Sequence, residues 1–270
     1  MLSFHFFFVL LQIENIKKKH TYMENDTLSL MLNHRSIRKF TNEKVSPELL
    51  EEIVNCGIRA SNTGNMQLYS VIATQEEPLR TNLCQLHFGQ CSSAPMFLTI
   101  CTDVNRYHHY CRVNQCDEPY GNLLWFISAL VDASLFAQNL CLAAEAKGLG
   151  FCHLGTVNYN TQKIAELLQC PKGVVPVIAL AIGHPAEEGR LSERLGTDAV
   201  LHSETYHDPS DDDIRRTHAV RDNDPFNQQM VRENGTRNYC EIFTTKRYPR
   251  TQNEAISADL LAYLRQSGML

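Results

Sequence analysis

His34-Arg35-Ser36-Ile37-Arg38-Lys39 places four potential cations and one hydroxyl within six consecutive residues. Arginine carries a planar fork of N–H donors that matches a phosphate or a pair of carbonyl oxygens, so this run could grip one anion. On a short helical turn Arg35 and Arg38 would stand at i, i+3 and share a face. A solvated basic cluster is the plainer reading of the same spacing, since short basic runs are common. A second candidate, Ser61-Asn62-Thr63-Gly64-Asn65-Met66-Gln67, gathers hydroxyl and amide side chains where a helical pattern ends. Backbone groups are also free there, so the segment could clasp a polar heterocycle, or it could be an ordinary Asx/Gly turn.

Other chemistries find less support. Gly148-Leu149-Gly150 with Gly155 lacks the Gly-x-Gly-x-x-Gly spacing, and these glycines end a helix before a strand, the reverse of a dinucleotide loop. A Walker loop, a Gly-x-Ser-x-Gly elbow and a His-Glu-x-x-His motif are absent. The ten cysteines include no Cys-x-x-Cys pair. Cys111 and Cys116 beside His108 and His109 fit no common metal spacing, so a loop is preferred there and no metal is expected. Most cysteines lie in apolar runs, where the free thiol acts as a small hydrophobe. That usage predicts a reducing, cytoplasmic setting. Single histidines such as His87, His153 and His184 read as packing or capping residues.

The elements that must position these residues follow from periodicity. Ser46-Pro47 reads as an N-cap with proline at the first helical position, and Leu49, Leu50, Ile53, Val54 and Ile58 then repeat with helical period. Strands are expected over 70–74, 94–101, 151–154 and 174–182, with Pro176 near the start of the last. Helices are expected from about Glu76, over 161–169 and over 258–266. Residues 103–120 read as polar and irregular. The longest helical signal, 123–147, is apolar on almost all sides and stops at Gly148. Asp132, Gln138, Asn139 and Glu145 interrupt it, which favours a buried helix over a membrane span.

The chain has 270 residues, 43% hydrophobic and 20% charged, which is globular usage for one large domain or two small ones. A formal charge of -5 provides no broad basic surface for a nucleic-acid backbone. Residues 1–22 hold an apolar run of ten followed by Lys17 to Lys19, the wrong order for a secretory signal, and Met23 reads as the natural start. The expected organisation is an upstream extension over 1–22, a domain over 23–207, and a polar C-terminal extension over 208–270. The fold class is α+β or three-layer α/β, with helices on both faces of one sheet of four or five strands.

Taken in order, five segments resemble the nitroreductase family of FMN-dependent NAD(P)H oxidoreductases, over about residues 28 to 207. They are His34 to Phe40, Arg59 to Gln67, Ala137 to Gly150, Leu154-Gly155-Thr156 and Pro176 to Pro185. Arg194-Leu195 and Leu201 to Tyr206 are most similar to the major nitroreductase and flavin reductase branch. The resemblance implies a mixed, mainly antiparallel sheet flanked by helices, with the C-terminal extension wrapped around a homodimer partner. It implies that His34, Arg35 and Arg194 hold the FMN phosphate, that Ser36 bonds the ribityl chain or phosphate, and that Arg38 lies near the pyrimidine edge of the flavin. Ser61, Asn62, Thr63 and Asn65 would line the flavin from the partner subunit, Gln67 would also bind the cofactor, and His153, Leu154, Gly155 and Thr156 would add contacts.

The implied reaction is ping-pong, from NADPH or NADH through flavin N5 to a small-molecule acceptor such as a nitroaromatic, quinone or flavin. It needs no catalytic side chain, no metal, no nucleic acid and no membrane. The alternative is a non-enzymatic FMN-binding or flavin-delivery protein. Two departures stand out: Ser192 replaces a lysine common in the branch, and none of Arg215, Arg216, Arg221, Arg232 and Arg237 can be singled out for the NADPH 2'-phosphate.

Overall fold

A computed structural model describes residues 26–118 and 121–270; the expectations for residues 1–22 lie outside the described residues. In chain order the elements are α1 (26–32), α2 (Pro47–Ile58), β1 (Tyr69–Thr74), α3 (Leu79–Leu86), β2 (Met96–Asp103), α4 (Asn105–Val113), α5 (Leu123–Ala146), β3 (Gly150–His153), α6 (Thr161–Leu167) and β4 (Val174–Gly183). There follow α7 (Thr197–Val200), α8 (Asp211–Asn223), α9 (Pro225–Asn234), α10 (Tyr239–Glu241) and α11 (Arg250–Gln266). The chain divides into two compact units, the first reaching Arg190 and including Leu264–Leu270, the second Leu191–Tyr263.

In the first unit the strands form one sheet of order β1-β2-β4-β3, every pair antiparallel. Both faces are covered, so the inner strands read as continuous apolar runs whose alternate residues serve different cores. Met96, Leu98, Ile100, Leu180 and Ile182 join one cluster with Ile53 of α2 and Phe136 and Leu140 of α5. Phe97, Ala179 and Ala181 face the other way, toward Leu83 of α3 and Ile164 of α6. This is the expected α+β architecture in three layers. The register shifts between Ile100 and Cys101, where Cys101 faces Pro176, a residue with no ladder N–H to give.

The N-terminus of α2 is set as its sequence suggests: Ser46 accepts from the Leu49 N–H and Pro47 opens the helix. Helix α5 is long and apolar enough to cross a membrane by length and composition. In the structure Ala129, Asp132, Ala133, Phe136, Ala137, Leu140, Cys141 and Ala144 are buried. Its other side exposes Leu123, Ile127, Val131 and Leu135, a stripe at i, i+4 spacing.

Two stretches differ from expectation. Within 103–120, read as irregular, Asn105–Val113 forms a helix that buries only Cys111, too little apolar surface to show as a periodic face. Within the second unit, the polar stretch after Ser210 is helical although α8 buries no residue. A capping box between Ser210 and Asp213, with Asp211, Asp212 and Asp213 in the first turn, supports α8 instead.

Candidate functional site

The basic run His34 to Lys39 is not helical, so Arg35 and Arg38 do not stand as an i, i+3 pair on a helix face. Backbone bonding decides this. The Ile37 N–H donates to the Phe151 carbonyl at 2.9 Å, the Thr41 N–H to His184 at 2.9 Å, and the Ala186 N–H to Lys39 at 2.9 Å. Ile37 and Phe40 are buried and pin the segment to the core. Two glycines allow the close approach: a Cβ on Gly150 would lie 2.6 Å from Ile37 Cγ1, and one on Gly189 would lie 2.8 Å from Ile37 Cδ1 and 3.2 Å from Arg35 Cβ. Gly189 also has φ +72°, which only glycine adopts without strain.

Around this segment stand acidic residues that the sequence reading did not single out. Glu187 Oε1 accepts from the Arg38 N–H at 2.7 Å and the Lys39 N–H at 3.1 Å. Arg35 Nη1 donates to Glu188 at 2.9 Å, an exposed partner that holds it weakly. Arg35 Nε is buried and has no hydrogen-bond partner. Because a buried guanidinium donor left unmatched is unfavourable, this atom marks a place for an anion.

His34 Nδ1 lies 2.6 Å from Glu145 Oε1 near the end of α5. Its ring stacks on Phe151 at 5.1 Å between centroids, and His153 meets the same Phe151 edge-on at 5.8 Å. Loss of solvation, and then the electrostatic influence of neighbouring His34, hold the His153 pKa below the usual imidazole value. The chain continues through Leu154, whose N–H donates to Ala179 at 2.8 Å, to exposed Gly155 and to Thr156. Thr156 Oγ1 is hydrogen-bonded to Nδ1 of fully buried His87 at 2.9 Å. Burial pushes the His87 pKa down to about 4, and its Nε2 has no partner.

The Ser61 to Gln67 loop is organised by a buried carboxylate. Asp132 of α5 accepts from the Thr63 N–H at 2.8 Å, the Thr63 hydroxyl at 3.0 Å and the Leu68 N–H at 3.3 Å. Gly64, Asn65 and Gln67 have φ of 55°, 55° and 52°, left-handed values that glycine and asparagine tolerate best. The Asn62 Nδ2 donates to Ala60 at 3.4 Å, while its Oδ1 is buried and unpartnered. Arg106 of α4 donates to the Gln67 carbonyl and, at 3.0 Å, to that of Tyr69. Arg106, Tyr107 and Tyr110 border a pocket of about 410 Å³ with Gly64, Asn65 and Met66.

These residues therefore form two clusters, both carried by α5. Glu145 meets the basic run and Asp132 meets the amide loop, thirteen residues apart, or about 20 Å along a helix rising 1.5 Å per residue. Arg194 belongs to the second unit, where its Nη1 donates to Ser192 at 3.4 Å. In the same unit Arg215 pairs with Asp211 and Asp212, Arg216 with Asp198 and Asp213, Arg221 with Asp222, and Arg237 with Glu241, while Arg232 lies in the last turn of α9. Among the described residues no group of three or more His, Cys, Asp or Glu could hold a metal. Asp132 and Glu145 were legible only as polar interruptions of an apolar helix, and Arg106 lay in the segment read as irregular.

A three-layer α+β fold with a basic cradle and an amide loop hung on one central helix defines the class of protein. Residues 31–96 and 120–184 match the model of the nitroreductase family. A Bacillus subtilis FMN reductase (NADPH) is 34% identical over 79% of this chain and 87% of its own length. An oxygen-insensitive NADPH nitroreductase of Salmonella typhimurium is 34% identical over 67% of this chain and 74% of its own length. The solved structure of the NfrA1 nitroreductase from Bacillus subtilis aligns over 90% of this chain and 98% of its own, with TM-score 0.79 at 30% identity. The chain belongs to the nitroreductase family.

Proposed function

We propose that this chain is an FMN-dependent oxidoreductase that uses NADPH or NADH to reduce small acceptors of the nitroaromatic, quinone or flavin type. The observation that carries the reading is the buried Arg35 Nε without a partner, a donor matched to a phosphate in a segment that Gly150 and Gly189 let approach the sheet. The buried, unpartnered Asn62 Oδ1 adds an acceptor matched to the N–H of a flavin pyrimidine ring. When bound, FMN supplies the redox chemistry, taking hydride from the nicotinamide and passing electrons to the acceptor in turn.

The chain's own residues bind and orient. Arg35, His34 and Ser36 hold the phosphate end. Arg38 places positive charge where a reduced flavin gathers negative charge. His153, Leu154, Gly155 and Thr156 line the cofactor on the same side.

The loop residues Ser61, Asn62, Thr63, Asn65 and Gln67 serve the cofactor of a second copy, since about 20 Å of α5 separates their anchor from the basic cradle. Pairing of two copies also covers the exposed stripe Leu123, Ile127, Val131 and Leu135, burying apolar area that water otherwise meets. The 208–270 extension wraps the partner, and the dimer works in the cytoplasm. Anaerobic addition of NADPH to the yellow protein tests the activity: bleaching of the flavin absorbance is expected, and a persistently yellow protein would leave a flavin-delivery role in its place.

A further inference from the structure

We infer that Glu145 is a positioning residue for the cofactor phosphate, acting through His34: its carboxylate takes the Nδ1–H of the ring and leaves Nε2 to the phosphate. Glu145 has this role only if the cradle takes FMN as proposed above, with His34 among the phosphate ligands. The geometry is direct. His34 Nδ1 lies 2.6 Å from Glu145 Oε1, and because a carboxylate accepts, Nδ1 carries the proton in this contact. The ring plane is fixed as well, stacked on Phe151 with 5.1 Å between centroids and 23° between planes. Among the described residues Nε2 has no hydrogen-bond partner, and the side chain stays 29% exposed. One nitrogen is held by the protein and the other is open to a ligand.

Three carboxylates bond the basic run, and they hold different things. Glu187 is spent on the Arg38 and Lys39 N–H groups. Glu188, which meets Arg35, is 86% exposed, so water screens the pair. Glu145 is 14% exposed, and a pair with less water around it is screened less and directs its partner better. The two imidazoles packed on Phe151 differ in the same way. His153 Nε2 lies 3.7 Å from the thiol of Cys141, one turn before Glu145 on α5, and burial holds its pKa down. His34 is the ring that a carboxylate prepares to donate.

A phosphate oxygen also accepts, so it calls for a proton on Nε2 too. With an anion at each nitrogen, the ring in the loaded protein carries both protons, in a row of carboxylate, imidazolium and phosphate. The sign of the effect separates this arrangement from simple proximity. A carboxylate that merely sat near the phosphate would repel it, and removing it would tighten binding. Removing a positioning carboxylate weakens binding.

The test is flavin fluorescence titration of wild type, Glu145→Ala, Glu145→Gln, His34→Ala and the Glu145→Ala/His34→Ala double variant, joined to NMR of the ring nitrogens in wild-type protein carrying isotope-labelled histidine. FMN affinity is expected to fall roughly tenfold in Glu145→Ala. Glu145→Gln should restore much of it, since its amide oxygen still accepts from Nδ1, and the double variant should bind no more weakly than His34→Ala alone. The His34 ring, assigned by its loss in His34→Ala, should show a proton on Nδ1 without flavin and on both nitrogens with it. Wild-type binding with equal or higher affinity in Glu145→Ala, losses that simply add in the double variant, or a loaded ring without a proton on Nδ1 would each overturn the role of Glu145 while leaving the flavin reading intact. The wild-type spectrum decides even where Glu145→Ala fails to fold. A wild-type protein that takes up no FMN would overturn the flavin reading, and this role with it.

Discussion

Two carboxylates of α5, one in mid-helix and one in its last turn, hold the segments they meet by opposite means. At Asp132 a carboxylate with 1% exposure satisfies two backbone N–H groups and one hydroxyl, so the charge is spent entirely on shaping the Ser61 to Gln67 loop. At Glu145 the carboxylate meets His34, while the basic run is fixed mainly by backbone bonds to Phe151 and His184. There a guanidinium nitrogen is left unmatched. The Asp132 contacts are internally complete, whereas Arg35 Nε in the cradle and Asn62 Oδ1 in the loop are left without partners. Asp132 should therefore govern stability, and the unmatched Arg35 and Asn62 ligand affinity.

The largest effect is expected at Asp132. Asp132→Ala leaves the Thr63 and Leu68 N–H groups without an acceptor and should lower unfolding free energy by roughly 4 kcal/mol, measured by denaturant melts. Next comes the His87–Thr156 contact at the edge of the cradle. Because the folded-state pKa of His87 is depressed, the unfolded chain binds its proton first as pH falls. Stability is full above about pH 6.5 and declines toward pH 4, by up to about 3 kcal/mol at that site. Melts across that window should show a shallower decline in His87→Gln.

Gly189→Ala pushes a methyl into Ile37 and forces a left-handed φ, so a loss of about 2 kcal/mol is expected together with weaker FMN retention. Smallest in stability is Arg35→Gln, within about 1 kcal/mol because the Glu188 carboxylate it pairs with is exposed. It should nevertheless weaken FMN binding at least about tenfold, read by flavin fluorescence titration. If Arg35→Gln unfolded the protein and Asp132→Ala did not, the contrast between Asp132 and the cradle would be wrong.

Much of the layered fold was legible because both cores imprint the sequence. Apolar runs over 94–101 and 174–182 mark strands buried on both faces, Ser46-Pro47 marks a helix start, and 123–147 marks the central helix. The residue types of the site were legible as well, but their local geometry was not. The spacing of Arg35 and Arg38 fits a helical turn, but backbone bonds to remote Phe151, His184 and Ala186 hold the segment out of one. Asp132 carries no local signal of its role, because its partners lie more than sixty residues away. Helices α4 and α8 escape periodicity since they bury one residue and none, and caps and charges hold what apolar faces do not.

The central claim is that the cradle of one copy and the amide loop of another serve the same flavin, and subunit complementation tests it most directly. Arg35→Ala and Asn62→Ala proteins, each expected to retain little FMN, would be unfolded together, refolded as a mixture and assayed for bound flavin. With random pairing, half the dimers are mixed and each mixed dimer regains one intact site, so recovery to about a quarter of wild-type occupancy is predicted. A mixture that binds no more flavin than the separate variants would show that both residues act within one chain.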